Sequence, residues 1–114
     1  MKGTHLGEFE ELVLLTVGIL YDDAYGLGIT DEIEQRTGRT VTVSSVHKTL
    51  MRLEQKGLLH SHMGGATEER GGRKKRLFTI TNSGKEALRD ARAMRNQLWQ
   101  AIPKVVWDVG GILP

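Results

Sequence analysis

The strongest constraint on the fold lies in the middle of the chain, where an amphipathic helix runs directly into a glycine-rich hairpin. Three apolar residues at helical spacing predict a helix over residues 44–56, namely Val46, Leu50 and Leu53. Thr42 can cap the start of this helix, and Gly57 is a typical residue just after a helix end. The segment therefore has defined ends and one apolar face that must pack against other elements.

The hairpin follows this helix without a linker. Residues 58–63 and 74–80 have the composition of short strands, and they flank residues 64–72, which contain two glycine pairs. A helix followed by two strands around a flexible tip forms a wing.

Two helices precede this unit and one follows it. Apolar residues three and four apart predict helices over residues 7–21 and 26–36, the second of them with Leu27 on its apolar face. Thr81 or Ser83 starts the last helix, since Ser83 begins a capping-box pattern. The predicted fold is mostly α with a small antiparallel β-hairpin (α+β).

We assign residues 1–80 to a winged helix-turn-helix head and residues 81–114 to a C-terminal dimerisation helix and tail. The last helix carries an apolar stripe at near-heptad spacing, made of Ala87, Ala91, Met94, Leu98, either Ala101 or Ile102, and Val105. A second copy of the chain would cover such a stripe. The alternative is that the helix folds back on the first helix. Pro103 is expected to kink this helix or to end it.

Charge is unevenly distributed along the chain. Residues 1–35 contain one lysine and eight acidic residues, whereas residues 36–76 contain ten lysines and arginines and three acidic residues. The field of such a basic block attracts a phosphate backbone, although a basic stretch also forms an ordinary solvated face.

Composition bears on the class of protein and on its compartment. The chain has no cysteine, which excludes disulfides and thiolate metal sites. It has no apolar run near the roughly 20 residues that span a bilayer, and its acidic N-terminus is unlike a signal peptide. We expect a cytoplasmic protein with no membrane partner and no cofactor.

Metal and catalytic sites are poorly supported. His60 and His62 share one face of a predicted strand, but two histidines without a third ligand are a weak indication of zinc. The glycine-rich segment lacks the lysine and helix of a phosphate-binding loop, and no nucleophile elbow frames Ser44 or Ser45. We expect neither a metal site nor an enzyme.

The outward side of the middle helix has residue types that suit a DNA groove, because hydroxyl groups bond phosphate oxygens while Lys and Arg bond phosphates or guanine edges. The candidates on the helix are Ser44, Ser45, His47, Lys48, Thr49 and Arg52. The alternative is an ordinary amphipathic helix with a solvated face.

Five cations lie near the hairpin tip and add to this surface. They are Arg70, Arg73, Lys74, Lys75 and Arg76. Strand alternation puts Lys74 and Arg76 on one face, and Arg73 and Lys75 on the other, so that they cannot all contact DNA together. Replacement of Arg73 and Lys75 by alanine is expected to lower DNA affinity and to flatten its salt dependence if the hairpin contacts phosphates.

In its order of motifs the chain resembles the PadR family of bacterial transcriptional regulators, and specifically its short members with one C-terminal helix. The resemblance covers about residues 6–88. It rests on Gly7-Glu8-Phe9-Glu10 before Leu12-Val13-Leu14-Leu15, on Tyr25-Gly26 and Ile29, on Ser45-Val46-His47 with Leu50, Arg52-Leu53-Glu54 and Lys56-Gly57-Leu58, and on Gly72-Arg73-Lys74-Lys75 before Thr79-Ile80-Thr81 and Gly84. Two departures are His47, where the family usually has Tyr, and Leu77-Phe78, where it has an aromatic pair.

The resemblance implies a repressor that binds a pseudo-palindromic operator in double-stranded DNA as a homodimer. It also implies an effector, because short members can hold a flat hydrophobic aromatic compound between tryptophans at the dimer interface. Trp99 would then line that cavity, with Met94 and Leu98 beside it. Alternatively, Trp99 only packs, as interface tryptophans commonly do, and the repressor has no effector. A different class of function remains open, a winged-helix module that binds a protein.

Overall fold

A computed structural model of the chain describes residues 5–64 and 74–108. The elements follow in the order α1 (Glu8–Leu20), a 3-10 turn (Tyr21–Asp23), α2 (Gly26–Thr37), α3 (Val43–Gln55), β1 (Leu59–Gly64), β2 (Lys75–Ile80), α4 (Asn82–Ala101) and α5 (Lys104–Asp108). The predicted mostly helical fold with an antiparallel hairpin is confirmed. The first three helices and both strands begin and end within one residue of their predicted bounds.

The core lies between the three head helices. Leu14 of α1, Ile29 of α2 and Leu50 of α3 are fully buried there, and each comes from an apolar face that its spacing predicted. The expected inward position of Leu27 is wrong. This residue lies on the side of α2 opposite Ile29 and is exposed, because two residues turn a helix by about 200°. No single described helix is long and apolar enough to cross a membrane.

The hairpin is anchored to the head along one edge. Its register runs from Leu59 opposite Ile80 to Gly64 opposite Lys75. The amide of Phe78 in β2 donates a 2.9 Å hydrogen bond to the carbonyl oxygen of Ala24, which precedes α2. Leu77 and Phe78 face opposite sides of the hairpin, yet both are buried. The hairpin stem is therefore part of the packed head.

The junction between the hairpin and α4 is equally close. Thr81 caps α4, since its Oγ1 accepts a hydrogen bond from the amide of Gly84 at 3.0 Å. The same hydroxyl donates to the carbonyl oxygen of Gly57 at 2.7 Å, and the amide of Thr81 donates to that of Leu58 at 3.1 Å. The alternative start at Ser83 is wrong, because Ser83 lies inside the first turn of α4. The end of α3, the hairpin and α4 thus meet at one point.

The two halves of α4 have different surroundings. In the first half, Ala87 and Leu88 pack against the core. In the second half, Arg95 forms a 2.6 Å ion pair with Glu11, a buried acid of α1. Contacts between α4 and the head therefore extend from its first turns to Arg95. The second half is exposed, including Leu98. The helix ends at Ala101, ahead of Pro103, and α5 follows the break.

Candidate nucleic-acid interface

The exposed side of α3 is the centre of the candidate interface. Val46, Leu50 and Leu53 fill the core, so the opposite side of the helix faces solvent. Ser44, His47 and Lys48 all lie there and are exposed. The helix is held at its start by Thr42, whose Oγ1 accepts a hydrogen bond from the amide of Ser45 at 3.0 Å. These three candidate side chains therefore share one accessible surface on a fixed element.

The outward orientation predicted for Thr49 is wrong. Only 4% of this residue is exposed, and its hydroxyl donates a 2.9 Å hydrogen bond to the carbonyl oxygen of Ser45, one turn earlier. The apolar pattern of α3 did not determine whether Thr49 is buried or exposed, because threonine occurs on both polar and apolar faces of helices. Its hydroxyl is satisfied inside the helix and its methyl group adds to the buried side.

Ser45 and Arg52 lie on another flank of α3. Both point away from the hairpin, as helical geometry places them about 180° and 160° from Glu54, which contacts the hairpin. The hydroxyl of Ser45 donates to the carbonyl oxygen of Thr42 at 3.0 Å. Arg52 is exposed, and its charge helps to lower the pKa of Glu10 on α1. The structure thus does not bring these two residues together with His47 and the hairpin.

Glu54 connects the end of α3 to both strands. Its carboxylate accepts a 2.7 Å hydrogen bond from the hydroxyl of Ser61 in β1. It also forms a 3.3 Å ion pair with the guanidinium of Arg76 in β2. The guanidinium of Arg76 also lies 5.8 Å from the centre of the Phe78 ring. Arg76 was predicted as a DNA contact, and in this structure its charge is paired within the head.

Lys75 is more strongly committed to the head. Its Nζ lies 2.9 Å from Oδ1 of Asp23 and 3.6 Å from the centre of the Tyr25 ring, and only 15% of its side chain is exposed. Lys75 was predicted as a DNA contact, and in this structure its charge is paired within the head. A lysine forms such contacts where an acid and an aromatic ring lie beside its strand. The sequence did not reveal that Asp23 and Tyr25 would lie beside β2.

Lys74 and Arg76 are both exposed, but Arg76 is paired with Glu54. Arg70 and Arg73, the other two predicted contacts of the tip, lie outside the described residues. Lys48 on α3 is exposed as well, and it lies on the outward side of that helix.

A third acid–base contact fixes α3 against α1. The ammonium of Lys56 lies 2.9 Å from both carboxylate oxygens of Glu10 and bonds the carbonyl oxygen of His5 at 3.1 Å. Burial raises the pKa of the Glu10 carboxyl, but hydrogen bonds from Lys56 and from the amide of Gly7 hold that pKa below its ordinary value. These contacts escaped the sequence analysis, which named Glu10 only within the motif Gly7-Glu8-Phe9-Glu10.

The residues predicted to bind an effector lie on two sides of α4. Trp99 lines a groove of about 380 Å³ between α1 and α4, together with Leu15 and Arg92. Met94 lines a second groove, of about 860 Å³, which shares Glu11 and Arg95 with the first. Leu98 is exposed on the stripe it shares with Met94. Within one chain, therefore, Met94 and Trp99 do not line one site.

Trp99 has an aromatic partner in its own chain. The ring of Trp107 in α5 lies 5.4 Å from it, centre to centre, with 8° between the ring planes. Both rings are more than half exposed. The break at Pro103 allows this contact, because it turns α5 back toward the last turns of α4.

The histidines on β1 share a face, as strand alternation predicts. The ring centres of His60 and His62 are 6.5 Å apart, and both residues are exposed. Across the part of the chain that the structure describes, no group of three or more His, Cys, Asp or Glu residues could hold a metal ion.

Comparison with known families is decisive for the class of protein. The family model of the PadR-like transcriptional regulators matches residues 14–90, which include the whole of α2, α3 and the hairpin. The chain belongs to the PadR-like family. The members of this family are DNA-binding transcriptional regulators rather than enzymes. No protein of curated function matches the chain.

Solved structures of PadR regulators share the fold. A PadR family regulator from Clostridium difficile is 30% identical, with 85% of this chain and 95% of that chain covered and a TM-score of 0.58. A PadR family regulator from Eggerthella lenta is 24% identical, with 87% and 86% covered and a TM-score of 0.66. The protein hsRosR in the complex hsRosR-S4 is also 24% identical, with 94% and 85% covered and a TM-score of 0.65.

Proposed function

We propose that this PadR-like chain is a transcriptional repressor that binds a pseudo-palindromic operator as a homodimer. In each subunit α3 enters the major groove, while the hairpin contacts the adjacent backbone or minor groove. The observation that carries this proposal is the row of exposed polar residues on α3, Ser44, His47 and Lys48, beside a hairpin fixed to the same helix.

The ion pairs of the hairpin stem support this arrangement through rigidity. Glu54 holds the hairpin to α3, and Asp23 holds it to the turn after α1. A helix and a hairpin with a fixed mutual angle can contact a groove and its flanking backbone together without a further ordering cost. Affinity then comes from Lys48, Lys74 and the tip arginines, through release of counterions from DNA.

The second half of α4 supports a dimer. Leu98 and Trp99 are exposed on this half, and large apolar side chains in a row commonly mark an interface between subunits. We assign residues 81–114 to this role and residues 1–80 to DNA binding. A cytoplasmic repressor of this kind needs no cofactor.

A flat aromatic effector is the second part of the proposal. The parallel stack of Trp107 on Trp99 supports it, since the face of Trp99 accepts a planar ring at 5.4 Å. Titration of a planar aromatic dye into the protein should quench its tryptophan fluorescence and weaken DNA binding. The Trp99→Phe variant should lose the quenching. Unchanged emission and unchanged DNA affinity would leave an effector-free repressor.

The DNA-binding part is tested with duplexes selected by the full-length protein from a random pool. Fluorescence anisotropy should give an affinity that falls as salt rises, and Lys48→Ala should weaken it with a salt slope flatter by about one unit. Lys104→Ala, a change of the same type on α5, serves as the control. If the selection yields no enriched sequence and no duplex binds at low salt, the proposal is wrong and a protein-binding winged helix takes its place.

A further inference from the structure

Val43, the first residue of α3, is an exposed apolar side chain at the edge between the buried and the polar side of this helix. It is 46% exposed, whereas Val46, one turn later, is completely buried. Within the described residues it belongs neither to the core cluster nor to the apolar side chains that pack against that cluster. The packed side of α3 thus starts at Val46, and the methyl groups of Val43 are left accessible at the start of the helix.

The position of Val43 around the helix is defined by its neighbours. His47 follows it by four residues and Glu54 by eleven, spacings that place all three on one flank of α3. Glu54 contacts Ser61 and Arg76 of the hairpin, so this flank faces the hairpin. Val43 thus lies beside Ser44 and His47, at the end of α3 that would enter a groove first.

An exposed valine can make one kind of base-specific contact in a major groove. Its two methyl groups have no hydrogen-bonding ability, and the one apolar group on a base edge there is the C5-methyl of thymine. We propose that Val43 is a specificity-determining residue that contacts a thymine methyl group in each half of the operator. This inference rests on the proposed entry of α3 into the major groove.

The proposed contact adds a kind of recognition that the neighbouring residues cannot supply. Ser44, His47 and Lys48 offer hydrogen bonds or charge, which select for donors and acceptors. Val43 would instead distinguish thymine from cytosine through burial of one methyl group. Burial of one such group is worth about 0.8 kcal/mol, or about fourfold in affinity per half-site.

The test removes the methyl group from the DNA and the valine from the protein. In the selected duplex, each thymine is replaced in turn by uracil, which lacks only the methyl group, and affinity is measured for the full-length protein and for Val43→Ala. We expect the wild type to lose about fourfold at one thymine per half-site and the variant to lose nothing further there. Leu27→Ala, which shortens an exposed apolar residue of α2, should keep the full effect of uracil.

The outcomes separate this inference from the proposed function. Failure of the selection itself would refute the DNA-binding proposal, and the inference with it. Sequence-selective binding with no sensitive thymine, or an equal uracil effect in the wild type and in Val43→Ala, would refute the inference alone. Val43→Thr keeps the shape of valine and one of its methyl groups, so it serves if the alanine variant fails to fold, and it should retain part of the effect.

Discussion

Lys75 and Asp23 form a 2.9 Å ion pair that joins the hairpin to the turn after α1. The pair lies next to the Tyr25 ring, and the lysine is largely buried. A cation in the most basic segment of the chain therefore has its partner inside the protein. Its neighbour Lys74 is exposed, and this contrast gives the first prediction.

We expect Lys74→Met and Lys75→Met to separate DNA binding from folding. Lys74→Met should lower DNA affinity and flatten the salt slope by about one unit, with little effect on stability. Lys75→Met should leave the salt slope nearly unchanged and lower the free energy of unfolding by about 1 kcal/mol, because it leaves Asp23 without its partner. Anisotropy titrations at several salt concentrations and urea denaturation measure both effects. Equal salt slopes for the two variants would contradict this assignment.

Gly84 is predicted to tolerate no side chain. A Cβ at this position would overlap the carbonyl oxygen of Leu58 and lie 2.7 Å from a methyl group of Ile80. Gly84→Ala should therefore destabilise the protein by about 1–3 kcal/mol, since backbone must move to relieve the overlap. Gly26→Ala is the control, because a Cβ there meets nothing within 4 Å and the residue begins a helix. Thermal unfolding of both variants measures the difference, and equal melting temperatures would contradict the prediction.

Tyr21 ends α1 in a conformation that favours glycine. Its φ is 54° and its ψ is −108°, and 78% of the residue is exposed. Because few contacts are lost, Tyr21→Gly should raise the free energy of unfolding by about 1 kcal/mol through relief of backbone strain. Glu34→Gly, at an exposed position inside α2, should lower it by about the same amount. A destabilised Tyr21→Gly variant in urea denaturation would show that the tyrosine has a packing role.

The Glu10–Lys56 pair should make stability depend on pH. The pKa of Glu10 lies below its ordinary value of 4.5 in the folded state, so the pair contributes fully above that value and its contribution is lost as pH falls further. Glu10→Gln should cost about 1–2 kcal/mol at pH 7 and much less at pH 3. The exposed pair Glu8–Arg39 provides the control, since Glu8→Gln should change stability little at pH 7. An effect of Glu10→Gln that is the same at both pH values would contradict this reasoning.

The helices and strands of this chain follow from local patterns, but its polar contacts do not. Leu14 and Leu50 occupy the core as their spacing predicted, and Thr42 caps α3 as its position predicted. Lys75 and Arg76 were assigned to DNA because charge density alone does not reveal partners, and Asp23 is 52 residues away along the chain. Such pairings depend on how the hairpin packs against the head.

The contacts of residues in α4 could not be predicted from the spacing of apolar residues alone. Trp99 was expected to face a second copy, and the contact with Trp107 depends on the break at Pro103, whose turn the sequence did not specify. The buried position of Thr49 was missed for a related reason, since a hydroxyl that bonds its own helix is indistinguishable in sequence from one that faces water.

The hydrogen bonds of Thr81 to Gly57 and Gly84 make the junction between the head and α4 rigid. In a homodimer joined through α4, the number of residues in this helix would then set the angle between the two heads. Each residue turns a helix by about 100° and lengthens it by about 1.5 Å. A relative with one residue more in α4 would present its second head to a different side of the duplex. Changes of α4 length should therefore survive in evolution only in near-whole turns, or together with a new distance between operator half-sites.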